Sequence, residues 1–290
     1  MKLSVLTFAV ALIAGPGVAA AQDLDSAFQG LKEAESKKDV AQVKKLGVET
    51  LRLTRQMIAG ASEGEDKAAA AQRVAYAREV QVRAEYALYA TALQAPAAQT
   101  VELLAALAEE SPKSKYLDEG GYAAYFRALN QTGQAAKVPA IAEKAIANSP
   151  DNEDLLLVLA RTALDRKQSD RALGYAQRLI ASLQGRKSAA LGHGYYIAGV
   201  VHYEQKKLFD ADKELRAALP LIQGNEQMLA YAYFNLGLVN YQLASAMRDR
   251  RRMMEASGFS DKAATIKSPI ADQAWRNAGV MRAEAAKLPR

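Results

Sequence analysis

Catalysis through imidazole, thiolate or metal needs His and Cys, and this chain is poor in both. Its 290 residues include no Cys and two His, His193 and His202. The missing Cys removes disulfides, thiolate nucleophiles and Cys-based zinc sites, and with them the N-terminal Cys that carries lipid in bacterial lipoproteins. The two His lie nine residues apart, which does not place them on one helix face at metal-ligand spacing. H-E-x-x-H, the phosphate-cradling P-loop and G-x-G-x-x-G are absent, and no serine-nucleophile motif stands in a context that could use it. Carboxylates are plentiful but interleaved with Lys and Arg, the pattern of a solvated helix face with i,i+4 pairs. The expectation is a protein without catalytic set, metal or cofactor. His202 admits two readings, a group that titrates near neutral pH and gates binding, or a packed, hydrogen-bonded helix residue; the second is the commoner. His193, between Gly192 and Gly194, reads as a loop or helix-start residue.

With catalysis set aside, the residues that remain informative are aromatic and basic. They have to be positioned by helices, because little else is encoded. Half the chain is hydrophobic, enough for a sizeable core. Ala, Leu, Glu, Lys, Arg and Gln dominate, all good helix formers. Several of the eight Pro fall where helices would end, and no segment shows the alternation of a strand. The fold class expected is all-α.

The N-terminus reads as a processing signal. Met1-Lys2 is a short positive start, Leu3 to Ala14 is apolar, Gly15-Pro16-Gly17 breaks the pattern, and Ala19-Ala20-Ala21 offers an A-x-A cleavage site. The apolar run is too short to span a bilayer, which needs about 20 residues. Cleavage after Ala21 is expected, with export to the bacterial periplasm and no transmembrane span afterwards. Loss of Lys2 takes the net charge from +6 to +5. Such a mild basic balance in an exported chain argues against nucleic acid as a partner.

The rest of the chain is periodic. The clearest unit, EGGYAAYFRALNQTGQAAKVPAIAEKAIANSPDN, runs from Glu119 to Asn152, with Gly133 between two helical patterns and Ser-Pro-Asp-Asn ending the second. A second unit runs from Glu153 to Arg186, with Leu156, Leu159 and Ala160 facing Ala172, Ala176 and Leu179. A third starts near Gly192 and a fourth near Ala230. Small residues at Ala160, Gly199 and Gly237 on each first helix, and at Ala172 and Ala211 on the second, allow close helix approach. Extra residues at Lys187–Leu191 and Glu226–Leu229 lengthen the neighbouring helices. IAGVVHYEQKKLFDADKELRAAL (Ile197 to Leu219) and NLGLVNY (Asn235 to Tyr241) carry the spacing most closely. These units resemble tetratricopeptide repeats. Phe126 departs from that pattern, standing where Gly or Ala is usual, which would splay the first pair. The resemblance implies an α-solenoid of stacked antiparallel helix hairpins in a right-handed superhelix. It also implies a concave groove lined by first-helix positions, here Arg127, Asn130, Arg161, Tyr196, Tyr203, Tyr231, Phe234, Asn235 and Tyr241, with Asp165 and His193 beside them. About half of the tyrosines are expected to pack between repeats instead.

The expected organisation is a signal at 1–21, degenerate helical repeats over 22–115, clear repeats over 116–255, and a loop and capping helix over 256–290. Within it, AGASEGE at 59–65 reads as a flexible linker and Asp66 to Leu93 as a long Ala-rich helix. One long helix is expected after Tyr241, then a loop around Gly258 to Pro269, then a final helix anchored by Trp275. The basic run Arg248, Arg250, Arg251 and Arg252 suits an anionic partner, such as lipid head groups or an acidic protein, and equally a solvated helix face. Function is therefore expected to be binding of a peptide or partner protein in the groove. The alternatives are a structural part of a cell-envelope assembly, acting through the convex face or basic helix, and an enzyme or small-ligand binder on helical hairpins.

Overall fold

The computed structural model of the chain describes residues 16–60 and 67–289. The apolar stretch of the expected processing signal and most of the expected linker lie outside these residues. Among the described residues there is no strand, and no helix is long and apolar enough to cross a membrane. The chain forms two compact units, residues up to Ala135 and residues from Ala136 onward.

The first unit contains α1 (Pro16–Ser36), α2 (Val40–Ala59), α3 (Lys67–Gln94), α4 (Ala97–Glu110) and α5 (Tyr122–Gln131). Each packs on the next, and α1 on α3 and α2 on α4. Its core is Leu24, Leu31, Val43, Leu51, Leu88, Leu103, Leu104 and Leu107. Each such fully buried side chain contributes on the order of 2 kcal/mol of transfer free energy. Phe126 is buried in this unit, beside Tyr122 and Tyr125.

The second unit contains α6 (Val138–Ala145), α7 (Glu153–Asp165), α8 (Ser169–Ser182), α9 (Ala189–Glu204), α10 (Leu208–Ala218), α11 (Glu226–Met247), α12 (Arg250–Thr265) and α13 (Ala271–Lys287). Consecutive helices pack pairwise, and α7 also touches α9, α9 touches α11 and α11 touches α13. That is the contact pattern of stacked hairpins: alternate helices share one face, and each hairpin meets only its neighbours. The solenoid expected from the sequence is present.

Small residues set the spacing between helices, as their positions in the sequence predict. Ala160, Ala172, Ala198 and Ala211 are fully buried. A Cβ on Gly199 would lie 2.7 Å from Leu215 Cγ, and one on Gly192 would lie 2.7 Å from Ile222 Cγ2.

Hairpin turns repeat one geometry. Lys38, Gly133, Lys167, Lys206 and Arg248 take positive φ. The amide after each donates to a carbonyl five residues back, at Ala34, Leu129, Ala163, His202 and Ala244. This closes the helix end in the Schellman manner, although only Gly133 adopts the left-handed conformation without steric cost. After two of these turns Asp39 and Asp249 cap the next helix, and Asn152, Ser188 and Asn225 cap α7, α9 and α11 in the same way, each accepting from a first-turn amide.

Three expectations at the C-terminus are corrected. The single long helix is broken at Arg248-Asp249, because Arg248 turns left-handed and Asp249 restarts the chain as an N-cap. Gly258 lies inside α12, so the loop shrinks to the few residues between Thr265 and Ala271. Trp275 anchors nothing: it is 67% exposed, and α13 is held by Ala274, Ala278, Met281 and Ala285. A helix that packs on α12 and the end of α11 through three alanines and a methionine needs no large aromatic anchor.

If close approach sets the spacing, two helical glycines should respond oppositely. Gly199→Ala is expected to destabilise by about 1–2 kcal/mol, the clash with Leu215 outweighing the gain in helix propensity. Gly174→Ala, whose Cβ would meet nothing within 4 Å, is expected to stabilise by up to about 1 kcal/mol. Urea unfolding midpoints of the two variants test this, and shifts of equal sign would refute it.

Candidate functional site

The second unit carries a cleft of about 390 Å³ where α7, α9 and α11 share a face. Arg161, Leu164 and Asp165 come from α7, His193, Tyr196 and Ile197 from α9, and Gln227, Met228 and Tyr231 from α11, with the capping Asn225 at its rim. The residues at 226–229 lengthen α11 at its start, and that extra turn supplies one wall.

Tyr196 is the fixed element. Its hydroxyl accepts from Asn235 Nδ2 at 3.5 Å, and its ring packs against buried residues of three neighbouring clusters. Farther along the same helices, Tyr203 accepts from Gln242 Nε2 at 3.0 Å. Both bonds join residues 39 apart in sequence. They are one tyrosine-to-amide contact repeated two helical turns later, and they hold α9 and α11 in register. Burial, reinforced by nearby Tyr231, pushes the Tyr196 phenol up to about 12.

His193 faces the same cleft. Its Nδ1 lies 2.8 Å from the Ala189 carbonyl; a carbonyl only accepts, so Nδ1 carries the proton. Burial first, and the Arg161 cation after it, hold His193 below the usual histidine range. The ring is therefore neutral at pH 7, with Nε2 left as an acceptor. The cleft thus offers a cation at Arg161, an anion at Asp165, a neutral acceptor at His193 and two phenols.

Of the residues expected in a groove, Arg161, Tyr196 and Tyr231 come together here, with Asp165 and His193. Asn235 adjoins through Tyr196. Tyr203 lies along α9 in the core around Leu215 and Phe259, and Tyr241 packs against the cluster of Ala244, Met253 and Ala256. Phe234 is half-buried on α11, while Arg127 and Asn130 are exposed on α5 of the first unit. His202 is a packed helix residue: it is buried, with Nδ1 2.7 Å from Glu214 Oε2. Burial in turn pushes the Glu214 carboxyl up.

Sequence reasoning reached Tyr231 and the lengthened helix but missed Gln227 and Met228 of the α11 wall, and Asn225, although Asn225 ahead of an apolar run is a legible N-cap. It also missed a polar network. Asn240 Nδ2 donates to Asp212 at 2.6 Å, Asp212 pairs with Arg216 at 3.0 Å, and Arg216 pairs with Glu255 at 2.8 Å, tying α10, α11 and α12. Gly60 to Gly64 spells G-x-S-x-G, but it follows the helix α2 where a nucleophile elbow needs a strand, and Ser62 lies outside the described residues. Among the described residues no group of His, Asp and Glu could hold a metal ion.

The Tyr196 phenol gives a spectroscopic test. A raised phenol pKa means that its stabilising contribution is complete below pH 10 and is lost as pH rises through about 12. In an alkaline titration followed by tyrosinate absorbance, Tyr196→Phe should remove one late-titrating group and leave the main transition near pH 10 in place. An unaltered late phase would contradict the buried placement.

No family model matches the chain, and no curated protein matches it. Among solved structures, the crystal structure of MamA is similar at 24% sequence identity, covering 55% of this chain and 86% of that chain, with a TM-score of 0.40.

Proposed function

We propose that the second unit is a tetratricopeptide-like scaffold that holds a peptide segment or the edge of a partner protein in the α7–α9–α11 cleft, without catalysis. The observation that carries this is the convergence of Arg161, Asp165, His193 and Tyr231 around a tyrosine already fixed by Asn235. A pre-ordered aromatic surface adds contact area at little entropic cost, and flanking polar groups choose the orientation. Arg161 suits a carboxylate on the bound segment and His193 Nε2 a backbone amide. The reading includes export, on the strength of the apolar N-terminal stretch and its A-x-A site. A second reading, a structural role in a cell-envelope assembly, draws on the exposed basic corner where α11 meets α12.

Peptides selected from a random displayed library on the wild-type chain should lose at least about tenfold in affinity for Arg161→Ala/Tyr231→Ala, as expected when two central anchors are truncated. They should bind a variant altered only at the basic corner as they bind wild type. Equal affinity for the cleft variant would sink the proposal.

A further inference from the structure

We infer that the corner between α11 and α12, with the neighbouring α9–α10 turn, docks on the surface of an anionic phospholipid bilayer. The two turns are joined in space: the Arg252 guanidinium sits 5.9 Å from the centre of the Phe209 ring. Around this contact stand Lys206 and Lys207 from one turn and Arg248, Arg250 and Arg251 from the other. Among the described residues, Arg248, Arg250 and Arg251 have no ion pair. Of the nearby carboxylates, Glu255 is paired with Arg216. Glu204, Asp210 and Asp249 are left to offset six cations, Lys206, Lys207, Arg248, Arg250, Arg251 and Arg252.

The same corner exposes large apolar side chains. Phe209 is 65% exposed, Met247 55% and Met254 47%. Met254 follows Arg250 and Arg251 by four and three residues, which puts it on their helix face. Met247 immediately precedes Arg248. Cationic and apolar side chains therefore alternate over the tips of two adjacent hairpins.

Three consecutive arginines occupy the first turn of α12, where the helix dipole disfavours cations. Phosphates lying against the corner would offset that cost. Hairpin tips present convex surface, which cannot enclose a peptide. A bilayer interface accepts both features together, with guanidinium groups on phosphate and Phe and Met tips among the upper acyl chains.

The test is co-sedimentation of the full chain with vesicles of equimolar phosphatidylglycerol and phosphatidylcholine, against phosphatidylcholine alone. Any contribution of the apolar N-terminal stretch is common to all variants. The expected result is at least about tenfold stronger partition into the anionic vesicles, weakened by salt. Arg250→Gln/Arg251→Gln should lower that partition about 25-fold, from about 1 kcal/mol per basic residue at the surface. Phe209→Ser/Met254→Ser should lower it about tenfold at unchanged charge. Arg161→Ala/Tyr231→Ala, with the cleft altered, should bind vesicles as wild type does. All four residues changed at the corner are at least partly exposed, and circular dichroism verifies that the variants fold. Equal partition into both vesicle types, binding to neither, or wild-type binding by both corner variants would overturn the inference. Binding to polyglutamate with no binding to vesicles would overturn it in favour of an acidic polypeptide.

Discussion

Close approach between the two helices of a hairpin is the constraint on which the rest depends. At Gly199 there is no room for a methyl group against Leu215, and the methyl groups of Ala160, Ala172 and Ala211 are fully buried. With the helices drawn together at these points, the larger residues that flank them, Leu156, Leu159, Leu179, Ile197 and Leu236, are displaced to the outer sides of the pair. There they must be covered by the next hairpin. The stack follows from helix spacing: Leu215 packs against Gly199 within its own hairpin, while Leu156 and Leu179 share a cluster with Leu191 of the next.

That geometry also decides where polar groups can go. Alternate helices share a face, so side chains at equivalent positions of α9 and α11 meet across it. Tyr196 with Asn235 and Tyr203 with Gln242 are two such meetings. The first holds a tyrosine at the edge of the cleft, and the second lies two turns farther along, where Tyr203 and Gln242 are half-buried. The network through Asn240, Asp212, Arg216 and Glu255 does the same work between α10, α11 and α12. Both satisfy polar groups that would otherwise be costly to bury, and both act between hairpins rather than within them.

Helices, small-residue contacts and most boundaries were legible in the sequence because they depend on local periodicity and on residue types with one physical use. Asn152 before Glu153 reads as a cap, and Gly133 reads as a turn. Harder to read were features whose residues had no such unique meaning. Lys167, Lys206 and Arg248 occupy a left-handed position with nothing in their chemistry to announce it, so the break after Met247 was invisible while an Asp among arginines looked like part of a charged helix. Trp275 misled for the opposite reason: a large aromatic is usually core, but α13 packs through alanines and leaves it outside. In the cleft, Arg161, Tyr196 and Tyr231 could be reached by helix register. The lengthening of α11 by Glu226 to Leu229 could be read too, but that the added turn brings Gln227 and Met228 toward α7 and α9 is a matter of tertiary packing. Tyr203 and Tyr241 lie on the inner side of a boundary that shifts with a single residue of register.

Since each hairpin of the second unit meets only its neighbours, its stability behaves as a chain of coupled links rather than as one block. Loss of α13 would uncover the Met281 seam and the Tyr241–Ala244 part of α11, but leave α7 and α9 with their partners. The cleft uses the start of α11, at Gln227, Met228 and Tyr231, and so lies away from the seam on the same helix. A bound segment that touched only the three cleft helices would rest on contacts that the last helix does not supply.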